Sequence, residues 1–160
     1  DFCLSRGLGD VYKRQAGHIR QVAYPQAAII HVRELKAGDA VGYNREFTAP
    51  APMRVGTVSL GYADGFLRSW GARGYFRHKG RPLALLGKVS MDMVVVDLAE
   101  APEAGVGDWL DVPYYLPDAA QHSGLSQYEL LTGLGHRFER SIALDCAEDA
   151  ANAKDDAAQH

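Results

Sequence analysis

Three tyrosines stand out in this sequence as side chains that could carry chemistry. Tyr43, Tyr62 and Tyr128 each lie beside turn-forming or helix-capping residues and not within an apolar alternation. A tyrosine can act as a general acid or base, but its ordinary pKa near 10 means that it needs a positive or hydrogen-bonding environment to do so. Taken singly, such a tyrosine is more often a half-buried packing residue with a solvated hydroxyl. Spacing by itself therefore leaves the role of the three open.

Other kinds of catalytic or cofactor site are not indicated by the sequence. Ser59 and Ser90 lack the turn that exposes a nucleophilic serine, and the six histidines do not cluster at metal-ligand spacing. Gly133-Leu134-Gly135 is too short a signal for a dinucleotide-binding loop. The two cysteines, Cys3 and Cys146, lie near opposite ends of the chain and indicate neither a disulfide framework nor a zinc site. Their scarcity fits a reducing compartment.

The stretch from Leu85 to Leu98 has the most regular pattern in the chain. Apolar side chains at every second position predict a strand with one buried face, formed by Val89, Met91, Met93 and Val95. Val94 and Val96 make the second face apolar as well, so we expect the later half to be covered on both sides. Polar side chains at the start of the strand fit either a solvated strand end or the rim of a site: Lys88, Ser90 and Asp92.

The elements that must position these residues are mostly short strands. Alternation and β-branched residues predict strands at Ala27–Leu35 and Ala40–Thr48, joined into a hairpin by the turn at Lys36–Asp39. Met53–Leu60 alternates again and ends at a tight loop with two glycines, Gly61–Gly65. Further predicted strands are a hairpin of Gly74–His78 with Pro82–Leu86, then Asp108–Tyr115, and a last strand at Phe138–Leu144.

Helical signals occur only late in the sequence. Pro117–His122 begins with proline and is followed by Gly124, and Ser126 with Glu129 has the spacing of a capping box. About seven short strands with one or two short helices predict a mainly β fold, a closed or nearly closed β-barrel.

Composition narrows the possible partners. With 47% hydrophobic and 23% charged residues, the 160 residues can form one domain with a substantial core. A net charge of −3 argues against nucleic acid as a partner, and no apolar run is long enough to cross a membrane as a helix. We expect residues 1–15 to be a non-native or disordered leader, residues 16–145 to form the domain, and residues 146–160 to be a disordered tail.

Four motifs, in order and spacing, resemble the C-terminal domain of alanine racemases over about residues 25–143. They are Val41-Gly42-Tyr43, Ser59–Gly65, Gly87–Met93 and Tyr128–Gly135. The resemblance implies a fragment of a pyridoxal-phosphate enzyme that interconverts L-alanine and D-alanine. In that family the lysine that holds pyridoxal 5'-phosphate lies in an N-terminal (β/α)8 barrel, which is missing from this sequence.

The resemblance also implies roles for individual residues. Tyr43 is similar to the second acid/base, opposite the lysine, and Tyr62 to the tyrosine that lines the substrate entrance. Met91 is similar to the residue whose backbone N–H binds the substrate carboxylate, and Tyr128 to the tyrosine whose hydroxyl binds the cofactor phosphate. In the family the first three reach into the site of the second subunit of a homodimer. Two chemical groups must flank the α-carbon because racemisation removes a proton from one face and returns one to the other.

Departures from the family pattern leave alternatives open. Lys88 stands where many members have arginine near the substrate entrance, and it lacks the planar fork that holds a carboxylate at two points. Asn44 and Gln127 also differ from the usual residues. A serine or broad-specificity racemase of the same fold is one alternative, and a non-catalytic β-barrel binding module is another. The role in making D-alanine for the cell wall implies a cytoplasmic location, and we expect the fragment to be inactive without the barrel.

Overall fold

The fold is a six-stranded antiparallel barrel. The computed structural model describes residues 23–42, 45–71 and 74–141. The barrel strands are closed in the order β1-β4-β7-β6-β5-β8, and two further strands, β2 and β3, form a separate small sheet. The strand bounds are β1 Gln26–Leu35, β2 Ala40–Val41, β3 Phe47–Thr48, β4 Met53–Val58, β5 Tyr75–His78, β6 Arg81–Leu86, β7 Val94–Asp97 and β8 Trp109–Asp111. The predicted β-barrel is confirmed.

Two short helices follow the barrel strands, as the sequence predicts. α1 spans Leu116–Ser123, has proline in its first turn and ends at Gly124 in the left-handed conformation. α2 spans Gln127–Thr132 and begins with the predicted capping box, in which Ser126 and Glu129 each bond the other's backbone N–H.

The barrel interior is filled by side chains from every wall. Ile29, Val58, Phe76, Leu83 and Leu110 are each at most 1% exposed. Outside this interior, a second cluster of Leu35, Val41, Ala49, Val55 and Leu86 packs beneath the segment that carries β2 and β3. Both clusters remove apolar surface from water, which is the main driving force for folding.

The predicted hairpin between residues 27–35 and 40–48 is wrong. The turn itself forms, because the Lys36 N–H donates to the Asp39 carboxylate at 2.8 Å and Gly38 adopts a φ of 90°. However, the half of β1 that adjoins the turn pairs with β4, and β8 pairs with residues 26–28 at its start. β2 pairs instead with β3.

The continuous strand predicted from Leu85 to Leu98 is also wrong in its first half. β6 ends at Leu86 and β7 begins at Val94, and residues 87–93 form a loop between them. Met91 and Met93 are 52% and 44% exposed, so they do not share a buried face with Val89. The later half behaves as predicted: Val94 and Val96 lie in the barrel interior, and Val95 packs against the outer cluster.

Some predicted elements fall at or beyond the limits of the description. Residues 138–141 contain no strand, and the remainder of the predicted strand at 138–144 lies outside the described residues. The leader at 1–15 and the tail at 146–160 also lie outside them.

Candidate functional site

The loop that follows β4 is the centre of the candidate site. Gly61 leads into a single 3₁₀ turn, Tyr62–Asp64, and Gly65 closes it with a φ of 90°. The Asp64 carboxylate, only 7% exposed as a residue, accepts a hydrogen bond from the Gly61 N–H at 2.9 Å. This short-range bond fixes the loop from within, because a buried carboxylate is stable only when it is hydrogen-bonded or paired.

An aromatic cluster joins the loop to the barrel. Phe66, directly after Gly65, stacks on Phe76 of β5 with ring centroids 5.3 Å apart and meets Trp70 edge-on at 4.9 Å. Trp70 in turn contacts Tyr114 edge-on at 5.6 Å. Such pairs stabilise by about 0.5–1.5 kcal/mol each beyond the apolar area they bury. The loop therefore leaves β4 and returns to the core within a few residues.

The loop between β6 and β7 lies directly against this turn. The Tyr62 N–H donates to the Ser90 carbonyl and the Ala63 N–H to the Met91 carbonyl, both at 3.0 Å. Ser90 holds its own loop closed, since its hydroxyl donates to the Met93 carbonyl at 2.6 Å and accepts from the Met93 N–H at 3.0 Å. The two loops thus share backbone hydrogen bonds although they are about thirty residues apart in the sequence.

Gly61 has no side chain because Met91 occupies that space. A Cβ at Gly61 would lie 2.2 Å from the Met91 carbonyl oxygen and 2.3 Å from its carbon. The backbone of Met91 is therefore set by contact with Gly61. Among the described residues, no acceptor meets the Met91 N–H. As far as the described residues go, this N–H is available to donate to an anion.

The segment after α2 is the third part of the chain that meets at this site. The Gly135 N–H donates to the Asp64 carbonyl at 3.2 Å, and a Cβ at Gly65 would lie 2.4 Å from the Gly133 carbonyl oxygen. Arg137 then donates through Nε to Asp64 and through Nη1 to Asp92, each at 2.7 Å. The bonds to Asp92 and to Asp64 raise the pKa of Arg137, so the guanidinium stays charged.

The side chains of Tyr62 and Tyr128 are accessible. Tyr62 is 40% exposed, with the Arg68 guanidinium 5.4 Å from its ring centroid, a distance typical of a cation–π contact. Tyr128 is 66% exposed in the first turn of α2. The capping box below it, with Glu129 bonded to Ser126, holds that turn in place.

Tyr43 lies outside the described residues, but the chain on either side of it meets the loop that carries Met91. A Cβ at Gly42 would lie 3.9 Å from the Lys88 backbone nitrogen, and Glu46 forms an ion pair with the Lys88 ammonium group. The Lys88 side chain is therefore paired with Glu46, the residue before β3.

Sequence reasoning named Tyr62, Met91 and Tyr128 but missed the charged network that joins their loops. Asp64 and Asp92 were visible in their motifs, yet their shared partner Arg137 is 73 and 45 residues away from them. The sequence carried no signal for this partner, because neither the adjacency of the two loops nor the burial of Asp64 can be read from it.

A cavity of about 190 Å³ lies elsewhere, between the 3₁₀ turn Arg68–Trp70 and the start of α1. Its lining includes Trp70, Tyr75 and Tyr115, whereas Tyr62, Met91 and Tyr128 do not line it. In the described part of the chain, no group of three or more His, Cys, Asp or Glu side chains could hold a metal ion.

Comparison with known proteins gives the family. The family model described as "Alanine racemase, C-terminal domain" matches residues 22–142. The chain belongs to this family. An alanine racemase from Laribacter hongkongensis is 44% identical over 121 residues, which are 73% of this chain and 34% of the relative. One from Pseudomonas entomophila is 38% identical over 140 residues, 86% of this chain and 38% of the relative.

Solved structures agree with the sequence comparison. The biosynthetic alanine racemase from Pseudomonas aeruginosa is similar with a TM-score of 0.67 and 39% identity over 75% of this chain and 34% of its own. An alanine racemase from Bartonella henselae, solved with covalently bound pyridoxal phosphate, has a TM-score of 0.70 and 30% identity over the same shares. The chain thus spans about a third of the length of these racemases.

The described residues could contribute single hydrogen bonds to a cofactor site of this kind. Tyr128 presents an exposed hydroxyl that could bond one phosphate oxygen, and the Met91 N–H could bond one carboxylate oxygen. Lys88, the lysine nearest to Met91 in the sequence, is already paired with Glu46. In the described part of the chain, no helix is both long and apolar enough to span a bilayer.

Proposed function

We propose that this chain is the C-terminal part of a pyridoxal-phosphate-dependent alanine racemase, which interconverts L-alanine and D-alanine for cell-wall synthesis. The observation that carries the proposal is the convergence of three motif-bearing loops, 59–65, 87–93 and 133–137, in a chain that belongs to the racemase family. Loops held together by backbone bonds give the fixed geometry that catalysis needs.

The residues of this chain bind and position the substrate. The Met91 N–H donates to the substrate carboxylate, the exposed ring of Tyr62 lines the substrate entrance, and Tyr128 donates to the cofactor phosphate. When bound, pyridoxal phosphate spreads the negative charge that develops at the α-carbon. A single hydrogen bond from Tyr128 stabilises by roughly 0.5–1.5 kcal/mol. The cofactor must therefore be held mainly by the N-terminal part, and the isolated chain should not racemise alanine.

The active site is shared between two subunits in this proposal. The loops with Tyr43, Tyr62 and Met91 reach the cofactor site of the second subunit of a cytoplasmic homodimer. The exposed side chains of Tyr62 and Met91, and the Met91 N–H, which meets no acceptor in the described part of the chain, support such an outward-facing role.

A tyrosine of this chain supplies the second acid/base, and two candidates compete for that role. Resemblance favours Tyr43. Tyr62 is the alternative, because its backbone N–H donates to the carbonyl of Ser90, the residue before Met91, and its ring lies beside the Arg68 guanidinium. Either hydroxyl would take a proton from one face of the α-carbon while the lysine of the N-terminal part serves the other.

The test uses a reconstructed enzyme, in which this chain follows the N-terminal two thirds of a racemase relative. Tyr43→Phe and Tyr62→Phe each remove one hydroxyl and keep the ring. The variant that lacks the acid/base should lose about 10²- to 10⁴-fold in kcat, and solvent deuterium exchange at the α-carbon should be lost for one enantiomer only. The other variant serves as its control. Normal exchange of both enantiomers in both variants would contradict the tyrosine assignment.

A further inference from the structure

One exposed arginine, in addition to the backbone bonds, bridges the two loops that present Tyr62 and Met91. Arg137 reaches Asp64, inside the Tyr62 loop, and Asp92, the residue after Met91, with both nitrogen-to-oxygen distances at 2.7 Å. A guanidinium is suited to this because its donors are fixed in a plane and can meet two carboxylates at once. A lysine ammonium lacks that fixed fork.

Each carboxylate that Arg137 holds is tied to a backbone group of the site. Asp64 uses its second oxygen to accept the Gly61 N–H at 2.9 Å, and Gly61 is in steric contact with the Met91 carbonyl. Asp92 follows Met91 directly, so its position along the chain limits where the Met91 N–H can point. A movement of Arg137 would therefore be transmitted to both loops.

One of the two ion pairs contributes little to stability. The Arg137 side chain is 52% exposed and the Asp92 side chain 50% exposed, and an exposed pair of this kind contributes little to the free energy of folding. The Asp64 side chain, at 9% exposed, is buried and gains more from its partner. Both bonds nevertheless have the short, direct geometry of charge-assisted hydrogen bonds. Their consequence is a fixed distance between two loops.

We propose that Arg137 is a positioning residue, which sets the Met91 N–H and the Tyr62 side chain in register for binding the substrate carboxylate. This inference rests on the proposed function and deepens it. Arg137 itself touches neither substrate nor cofactor in this account. It acts through Asp64 and Asp92.

The kinetic test compares Arg137→Met with Arg140→Met in the reconstructed enzyme. Arg140 is also exposed and lies three residues later, and it makes neither of these contacts, so it is the matched control. Arg137→Met should raise the KM for alanine about tenfold and lower kcat/KM by about 10- to 100-fold, since a displacement of about 1 Å can cost that much. Arg137→Lys should be intermediate, and Asp92→Asn should raise KM in the same direction by a smaller factor.

Measuring KM and kcat separately distinguishes a positioning role of Arg137 from a role in stabilising the fold alone. Loss of folded protein lowers the apparent kcat and leaves KM unchanged, because unfolded molecules do not bind substrate. A KM for Arg137→Met within twofold of the Arg140→Met value would overturn the proposal. If Arg137→Met does not fold, Asp92→Asn still tests the proposal, because it leaves the Arg137 bond to Asp64 in place.

A second readout does not depend on racemase activity. In the 160-residue chain, Arg137→Met should shift the Met91 amide signal in a nitrogen–proton correlation spectrum and speed hydrogen exchange at Ala63, which bonds the Met91 carbonyl, about tenfold. Arg140→Met should change neither. Unchanged Met91 and Ala63 signals in Arg137→Met would overturn the positioning role. Failure of the unsubstituted reconstructed enzyme to racemise alanine would instead reject the proposed function and leave this test valid.

Discussion

Replacing Gly61 with alanine tests whether the contact between the two loops fixes the site. The added Cβ would lie 2.2 Å from the Met91 carbonyl oxygen, whereas real Cβ contacts are essentially never shorter than 3.0 Å. The residue at position 61 and the Met91 backbone must therefore separate by at least about 0.8 Å. Gly61 has an extended backbone with a φ of −152°, so alanine introduces no conformational strain of its own.

The size of the effect follows from that displacement. Overpacking of this kind typically destabilises by about 1–3 kcal/mol. The Ala63 hydrogen bond to the Met91 carbonyl, now 3.0 Å, would lengthen or break. Because a misplacement of about 1 Å can cost about 10²-fold in rate, we expect kcat/KM to fall by about that factor in the reconstructed enzyme.

The assay pairs urea denaturation of the 160-residue chain with alanine racemisation by the reconstructed enzyme. Gly105→Ala is the control, because no heavy atom lies within 4 Å of the Cβ it would add and Gly105 has no left-handed φ. Gly61→Ala should lower both the denaturation midpoint and kcat/KM relative to this control. Equal values for the two variants would refute the argument that Gly61 sets the Met91 backbone.

Two further substitutions test other parts of the account. Tyr114→Phe should lower the free energy of unfolding by about 0.5–1.5 kcal/mol, since the buried hydroxyl donates to the Leu130 carbonyl of α2 at 2.8 Å, whereas Tyr115→Phe at an exposed site should not. Burial raises the pKa of Tyr114 to about 12, so the unfolded chain ionises first and stability should fall as the pH rises from 10 to 12. In denaturation curves the fall should be larger for the parent than for Tyr114→Phe, by up to roughly 2.7 kcal/mol. Met91→Pro removes the N–H and should raise the alanine KM of the reconstructed enzyme, while Met91→Leu should not; equal KM values would contradict the backbone role.

The sequence correctly predicted the elements that depend on interactions between residues close together in the chain. The capping box at Ser126 and Glu129, the proline-led helix α1 and the hairpin of β5 with β6 all form where the sequence indicates them. The two glycines of the 61–65 loop also mark a tight turn, as expected. Each of these depends on neighbours within a few residues.

Structure that depends on contacts between strands far apart in the sequence could not be predicted in this way. The alternation from Val89 to Val95 suggested a strand, but Ser90 bonds Met93 within the loop and leaves Met91 exposed. A serine side chain that bonds nearby backbone offers an alternative to strand pairing, and periodicity does not detect it. Likewise, the partner of β1 depends on which strands reach its edges, so the turn at residues 36–39 formed without the predicted hairpin.

The candidate site itself was predictable only in part. Tyr62, Met91 and Tyr128 could be named from motifs in order, and the roles assigned to them stay predictions. Arg137 could not be chosen from among the chain's other arginines, because what distinguishes it is its contact with Asp64 and Asp92 in space.

The most direct test of the central claim is conversion of L-alanine to D-alanine, measured with added pyridoxal phosphate for the reconstructed enzyme and for the 160-residue chain by itself. The account predicts racemisation in both directions by the reconstructed enzyme and none by the isolated chain, since its described residues offer the cofactor and the substrate only single hydrogen bonds. Turnover by the isolated chain, or none by a folded reconstructed enzyme loaded with cofactor, would contradict it.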